Sequence, residues 1–335
     1  MAERVTLREV SERAGVSTFT VSRALGSGEG VSAETRERVS RIARDLGYVP
    51  NRMASNFRTA SSHLVGVLTA NSENLFYAGL IAAFQRQMQA RGYNCSITDA
   101  FEDGAYSARS EDLFIGIMLE QRAAGIVLVH PPSPANMARL RAFGIPLVFA
   151  DSLPPADETG VSGVTTDNFR AAQEAGEVFA AQGRRDWLFV GHPGGFGTRE
   201  GREAGFRAAA AAAGAALSVV EGQNDPAAVA AAVQGQLQGG APPDAILCSN
   251  EVLLNGTLRA LAAAGLAVPQ DVAVISFDDF PWAGLLVPPA TVIAQPIREM
   301  GEAAATLLLK RILSPDAPAE RIVLPARLIR RSSCG

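Results

Sequence analysis

The sequence predicts a multidomain chain: an all-α helix-turn-helix head, then a two-lobed α/β body of doubly wound parallel sheets. Three observations carry that reading. Residues 1–50 contain three short apolar stripes at helical spacing, each opened by a Ser or Thr that can cap a helix. Residues 51–62 hold too little apolar surface to fold alone. From Leu64 onward, short apolar runs alternate with amphipathic helices, the pattern of parallel βαβ units, and 335 residues give room for two or three folding units.

In the head, Thr6 with Glu9 reads as a capping box, so the first helix starts at Leu7. Leu7, Val10 and Ala14 share a face, and Gly15 permits a tight turn. Ser17 caps a second helix that buries Val21, Ala24 and Leu25. Two short capped helices joined at Ala14-Gly15-Val16 describe a helix-turn-helix. Its second helix would lie in a DNA major groove with Thr18, Phe19 and Ser22 nearest the base edges. A third helix is capped by Ser32, carries the stripe Val39, Ile42, Ala43 and Leu46, and stops at Gly47. On periodicity alone, an unspecialised three-helix bundle stays open as an alternative.

The linker at 51–62, NRMASNFRTASS, can form one or two helical turns and reads as a conditional element. In the body, strands are expected at 64–69, 93–98, 125–129 and 146–150, with helices near 77–90, 108–122 and 134–143. A second series begins around Val161. Its strands are expected at 187–191, 217–220, 244–248 and 272–276, and its helices near 169–182, 199–213, 226–238 and 251–264. Open α/β sheets bind ligands at strand ends beside a topological switch point, so a cleft between the lobes is the expected site. Polar residues stand where such a cleft needs them: Asp151 after PLVFA, Asn250 after AILCS, Asp278 in ISFDDF, and Arg202 in TREGREAGF. Carboxylates, an amide and a guanidinium around a ring-sized gap can pair with neighbouring hydroxyls, as a sugar offers. Helix capping or turn formation by the two aspartates, and pairing of Arg202 with Glu200 or Glu203, are the structural alternatives.

Residues 1–60 carry ten Arg and seven acidic residues, a balance of +3, and the remainder carries −7, within a net charge of −4. A mildly basic head on an acidic body suits a head that meets phosphate. Cys95, Cys248 and Cys334 are odd in number and lack metal-ligand spacing, so free thiols in a reducing setting are expected, with no metal and no cofactor. The polar N-terminus lacks a signal-peptide core, and no run reaches membrane-spanning length, which points to the cytoplasm. Catalysis finds little support. There is no G-x-S-x-G elbow, and Lys310, the only lysine, belongs to no P-loop. Gly191-His192-Pro193-Gly194-Gly195 lacks the G-x-G-x-x-G order and reads as a cleft loop.

The order of motifs in residues 5–60 resembles the LacI family of bacterial transcription regulators. The matching residues are Thr6-Leu7-Arg8-Glu9-Val10, Ala14-Gly15-Val16-Ser17, Thr20-Val21-Ser22-Arg23, Val31-Ser32 with Glu34-Thr35-Arg36, and Leu46-Gly47-Tyr48 running on to Pro50-Asn51. The resemblance implies a DNA-binding domain at 1–50, a hinge helix at 51–62 and an effector-binding and dimerisation body at 63–335. It implies that the body looks like a periplasmic sugar-binding protein with three crossovers. The N-lobe is then expected at about 63–161 and 293–321, the C-lobe at about 162–292 and 322–335. A helix at 296–313 would return to the first lobe, and 322–331 would finish in the second.

By the same resemblance, DNA contacts fall to Thr6, Ser17, Thr18, Phe19, Thr20, Ser22, Arg23, Asn51 and Phe57. Phe57 stands where the family has a leucine that wedges into the minor groove. Effector contacts fall to Phe76, Tyr77, Asp151, Arg202, Asn250 and Asp278, with Phe196, Thr198 and Trp282 as candidates by proximity to matched motifs. The chain departs from the family at Ser55, at Asn250-Glu251 and at Asn74-Leu75-Phe76-Tyr77. The expected protein is a homodimeric repressor of a partly palindromic double-stranded operator, responsive to a sugar or sugar derivative and not associated with membranes. Three alternatives remain: a nucleobase or other non-sugar co-repressor, a solute-binding protein, and an α/β enzyme with a regulatory head.

Overall fold

Three capped helices form the head in the computed structural model, which describes residues 5–26, 30–49, 62–102, 105–193 and 197–335. They are α1 (Leu7–Ala14), α2 (Thr18–Leu25) and α3 (Ala33–Asp45). The capping box is present: the Thr6 backbone N–H donates to Glu9 Oε2 at 2.6 Å, and the Glu9 N–H donates to Thr6 Oγ1 at 3.3 Å. Gly15 takes the left-handed conformation that closes α1, with φ 64°. Ser17 and Ser32 cap α2 and α3 by accepting from the backbone N–H groups of Thr20 and Thr35. Val10, Ala14, Val21, Ala24, Val39 and Ala43 form the buried core, with Leu7, Leu25, Ile42 and Leu46 around it. Asn51 and Phe57, with the rest of the hinge at 51–61, lie outside the described residues.

The body is a separate unit, residues 63–335. Its first lobe runs β1 (Leu64–Thr69), α4 (Leu75–Gln89), β2 (Asn94–Asp99), a hairpin of β3 (Phe101–Glu102) and β4 (Ala105–Tyr106), α5 (Ala108–Glu120), β5 (Gly125–Leu128), α6 (Pro134–Phe143), β6 (Leu147–Ala150) and β7 (Ser162–Thr166). The chain crosses over into α7 (Asn168–Ala181), β8 (Asp186–Gly191), α8 (Gly197–Ala213), β9 (Ala216–Glu221), α9 (Pro226–Gln238), β10 (Ala245–Cys248), α10 (Glu251–Ala263), β11 (Ala273–Phe277) and β12 (Thr291–Ala294). It returns as α11 (Ile297–Leu313) and β13 (Arg321–Leu324), then crosses a third time into β14 (Arg327–Ile329).

The two sheets share one plan. Their strand orders are β13-β7-β6-β5-β1-β2 and β14-β12-β11-β10-β8-β9. All six strands of the first sheet run parallel, as do five of the second, so their C-terminal ends gather on one edge. Helices cover both faces. One face of the first sheet packs Phe76, Leu80, Phe84 and Met88 of α4 with Met300, Ala304 and Leu308 of α11. In the second, Phe206 of α8 stacks on Trp187 of β8, ring centroids 5.0 Å apart. Each fully buried side chain of this size contributes roughly 1.5–3 kcal/mol relative to exposure.

Three lobe assignments need correction. β7, at 162–166, was expected in the C-lobe but pairs parallel with β6 in the first sheet, with Val148 opposite Ser162. Parallel neighbours are ordinarily joined through a helix, and the connection between β6 and β7 has none, so the strand reads as the start of a new lobe. The run 322–331 was expected to lie wholly in the C-lobe. Instead β13 pairs with β7, and only β14 joins the second sheet, antiparallel to β12. Pro325, with no N–H to give a ladder, divides the run at the crossing. β12 also belongs to the second sheet, so that lobe extends past 292.

Candidate ligand cleft and nucleic-acid interface

The C-terminal strand ends of the two sheets enclose a cavity of about 560 Å³. Of the residues expected to touch a ligand, Phe76, Tyr77, Asp151, Thr198, Arg202, Asn250 and Asp278 all line it. Phe196 lies outside the described residues. Trp282 is not among the lining residues; its ring packs on buried Phe280 at 4.0 Å between centroids. Sequence reasoning missed Asp99 and Gln295, which stand at the ends of β2 and β12, and Asn224 after β9. The rule that found Asp151 applies to all three. Gln295 escaped because β12 was not foreseen. Phe101 and Tyr106 also line the cavity, from a hairpin with no sequence signal.

Asp151 and Asp278 occupy equivalent positions, directly after β6 and β11, at φ 69° and 74°. The left-handed region is open to few side chains besides Gly, Asn and Asp, so both turns call for these residue types. Neither aspartate caps a helix. Tyr77 donates its hydroxyl to Asp151 Oδ2 at 3.1 Å, and Gln295 donates its amide to Asp278 Oδ1 at 2.7 Å. Arg202 pairs with neither Glu200 nor Glu203. Its Nε donates to Asn168 Oδ1 at 2.7 Å, Nη1 donates to the Ser249 carbonyl, and its guanidinium lies over the Phe277 ring at 4.0 Å. Asn250 caps α10 through Leu253 N–H at 2.8 Å, while its amide reaches Asn224 Oδ1 at 3.0 Å and His192 Nε2 at 3.1 Å.

Burial sets the electrostatics. Asp151 is pushed up to about 7, chiefly by desolvation and less by Asp278, against the opposing charge of Arg202. Desolvation also raises Asp278, with Arg202 and the Gln295 amide opposing. Burial and the two nearby arginines drop His192 to about 4, so its ring is neutral at pH 7. Glu251 is raised by burial and by Asp278, and is relieved by the Leu75 backbone N–H of the other lobe. Asp151 Oδ1, Gln295 Oε1 and Ser249 Oγ are buried without a hydrogen-bond partner. Gln295 Oε1 is a pure acceptor, and Asp151 Oδ1 becomes one above about pH 7, when its carboxyl is ionised, so the cavity calls for donors there.

In the head, α2 presents Thr18 and Phe19 outward; Phe19 is 66% exposed. The Arg23 guanidinium lies 5.5 Å from the Phe19 ring centroid. Thr6, Ser17 and Thr20 are spent on caps, Thr20 Oγ1 lying 2.9 Å from Ser17 Oγ, and Ser22 is half-buried. An exposed apolar ring and an arginine on the outer face of a second helix suit contact with thymine methyl groups and phosphate.

A helix-turn-helix unit in one chain with a two-lobed, ligand-sized cleft defines a DNA-binding regulator that senses a small molecule. Residues 6–51 match the description "Bacterial regulatory proteins, lacI family", and residues 177–334 match "Periplasmic binding protein-like domain". The HTH-type transcriptional repressor PurR of Erwinia tasmaniensis is 30% identical over 98% of this chain and 96% of its own. The repressor of the same name from Salmonella arizonae is 29% identical over the same shares. Among solved structures, the lac repressor dimer bound to operator and the anti-inducer ONPF superposes with a TM-score of 0.85 at 25% identity, covering 99% of both chains. The transcriptional regulator CelR in complex with cellobiose gives 0.73 at 29% identity, covering 98% of this chain and all of that one. The chain belongs to the lacI family of bacterial regulatory proteins. Its relatives are transcriptional repressors rather than enzymes, and the family resemblance and the fold class expected from the sequence both hold. No described helix is long and apolar enough to cross a membrane.

Proposed function

We propose that this protein is a cytoplasmic, homodimeric repressor whose affinity for a partly palindromic operator is changed by a neutral polyhydroxylated ligand, a sugar or sugar derivative, held between the lobes. The observation that carries the ligand class is the pair of buried aspartates with Arg202 between the lobes: each aspartate accepts from a neutral group, Tyr77 or Gln295, and Asp151 Oδ1 and Gln295 Oε1 are left without a partner. Hydroxyl groups meet that need without carrying charge into an acidic site. A sugar acid would add a negative charge beside two carboxyls whose ionisation burial already opposes. The cellobiose complex of CelR supports the same class.

A second reading, a nucleobase, is favoured by one feature. Phe76, Phe101 and Tyr106 give the cleft aromatic faces on which a flat base could stack. The DNA contacts are assigned to Thr18, Phe19 and Arg23, with Ser17, Thr20 and Ser22 toward phosphate and Thr6 at the start of α1. Asn51 and Phe57 retain the hinge roles that the family resemblance implies. Ligand control requires only that the two lobe arrangements bind the ligand with different affinity. The test is a panel of sugars, sugar acids and nucleobases, scored by the operator Kd of the purified protein. A neutral sugar is expected to move it; a response to nucleobases alone would replace the sugar by the second reading.

A further inference from the structure

The shared strand order of the two sheets gives the cleft a length as well as a location. In the first sheet, Asp151 follows β6 and Asp99 ends β2, with β5 and β1 between them. In the second, Asp278 follows β11 and Asn224 follows β9, with β10 and β8 between them. Adjacent strands lie about 4.8 Å apart, so each wall extends over three spacings, about 14 Å. All four residues line the same cavity. At 560 Å³ the cavity falls within the roughly 300–1,000 Å³ of pockets that hold drug-sized ligands, more than one sugar ring needs. A single ring bonded to Asp151, Arg202 and Asp278 therefore leaves the β2–β9 end unfilled.

That far end is built. Tyr106 is 41% exposed, yet it lines the cavity, and its ring meets Phe101 at 5.8 Å in a T-shaped contact. Its hydroxyl donates to Glu111 Oε2 at 2.8 Å. Glu111 is fully buried, and its other oxygen accepts from Ser133 N–H at 2.9 Å and Asn136 Nδ2 at 2.7 Å. The ring is thus fastened to the lobe core. The electron-rich face of an aromatic ring attracts the C–H groups that line one face of a pyranose.

We infer that the cleft contains two sugar subsites in line, and that its ligand is a disaccharide-sized glycoside. One ring is held by Asp151, Arg202 and Asp278, and the other lies against Phe101 and Tyr106 beside Asp99 and Asn224. This inference rests on the sugar reading and adds the ligand's length and the residues that select it.

Calorimetric titration of the full-length protein with glucose, galactose, maltose, cellobiose, lactose and melibiose tests it. At least one disaccharide is expected to bind tenfold or more tightly than the monosaccharides that compose it. Tyr106→Ala is expected to reduce that ratio by about tenfold, while Tyr106→Phe, which keeps the ring but gives up the Glu111 bond, preserves most of it. A monosaccharide that binds as tightly as any disaccharide, or a ratio that Tyr106→Ala leaves intact, overturns the two-subsite assignment while the sugar reading stands. Binding of adenine or guanine with no saccharide bound overturns the sugar reading and this inference with it.

Discussion

Asp151 is the residue at which the cost of the site is most directly measurable. The native state keeps its proton up to about pH 7, whereas an ordinary aspartate releases it near 3.8. Between those values the folded chain binds more protons than the unfolded one, so this residue's contribution to stability falls as pH rises from about 4 to 7. Asp151→Asn removes the desolvated charge, still accepts from Tyr77, and tolerates φ 69°. The variant is expected to exceed wild type in stability at pH 8 by about 1–4 kcal/mol, with the gap closing near pH 4. Thermal unfolding across that range measures it, and a gap independent of pH would mean that the carboxyl is not held protonated. Above about pH 7 ligand affinity should fall at the same time, because an amide cannot replace both carboxylate oxygens as acceptors.

At the scale of elements, α2 and the α7–α8 pair make contrasting predictions. Phe19→Ala on the exposed face of α2 should relax base preference at one position of each half-site by roughly 1–3 kcal/mol, read by selecting operators for both proteins. An unchanged consensus would remove Phe19 from base reading. Gly205 lies where α8 touches the start of α7, and a Cβ there would come within 2.0 Å of the Phe169 carbonyl oxygen. Gly205→Ala should therefore lower stability by about 1–3 kcal/mol or more, seen as a lower urea midpoint. The elements were legible where cap and stripe agree, as in Thr6 with Glu9 or the apolar runs that became β5 and β10. They were illegible where pairing is decided at long range. β7 has no crossover helix to announce its sheet, and Pro325 divides one run between two lobes. The cleft followed suit: residues ending foreseen strands were found, whereas Gln295 and the Tyr106 hairpin depended on pairings no local pattern encodes.

For the whole molecule, the central claim is that a ligand bonded by Asp151, Arg202 and Asp278 controls operator binding by the head. Arg202 joins the wall of the cleft to the second lobe's interior, through Asn168, Ser249 and Phe277. Arg202→Lys keeps the charge but loses the planar fork that can hold two hydroxyls at once. The direct measurement is fluorescence anisotropy of a selected operator with wild type and Arg202→Lys, each with and without the sugar found in the screen. The account predicts at least a fivefold change in operator Kd for wild type, within the usual range of allosteric coupling, and little or none for the variant, with ligand-free operator affinity alike in both. An equal response of both proteins, or a wild-type operator Kd that no sugar moves, would contradict it.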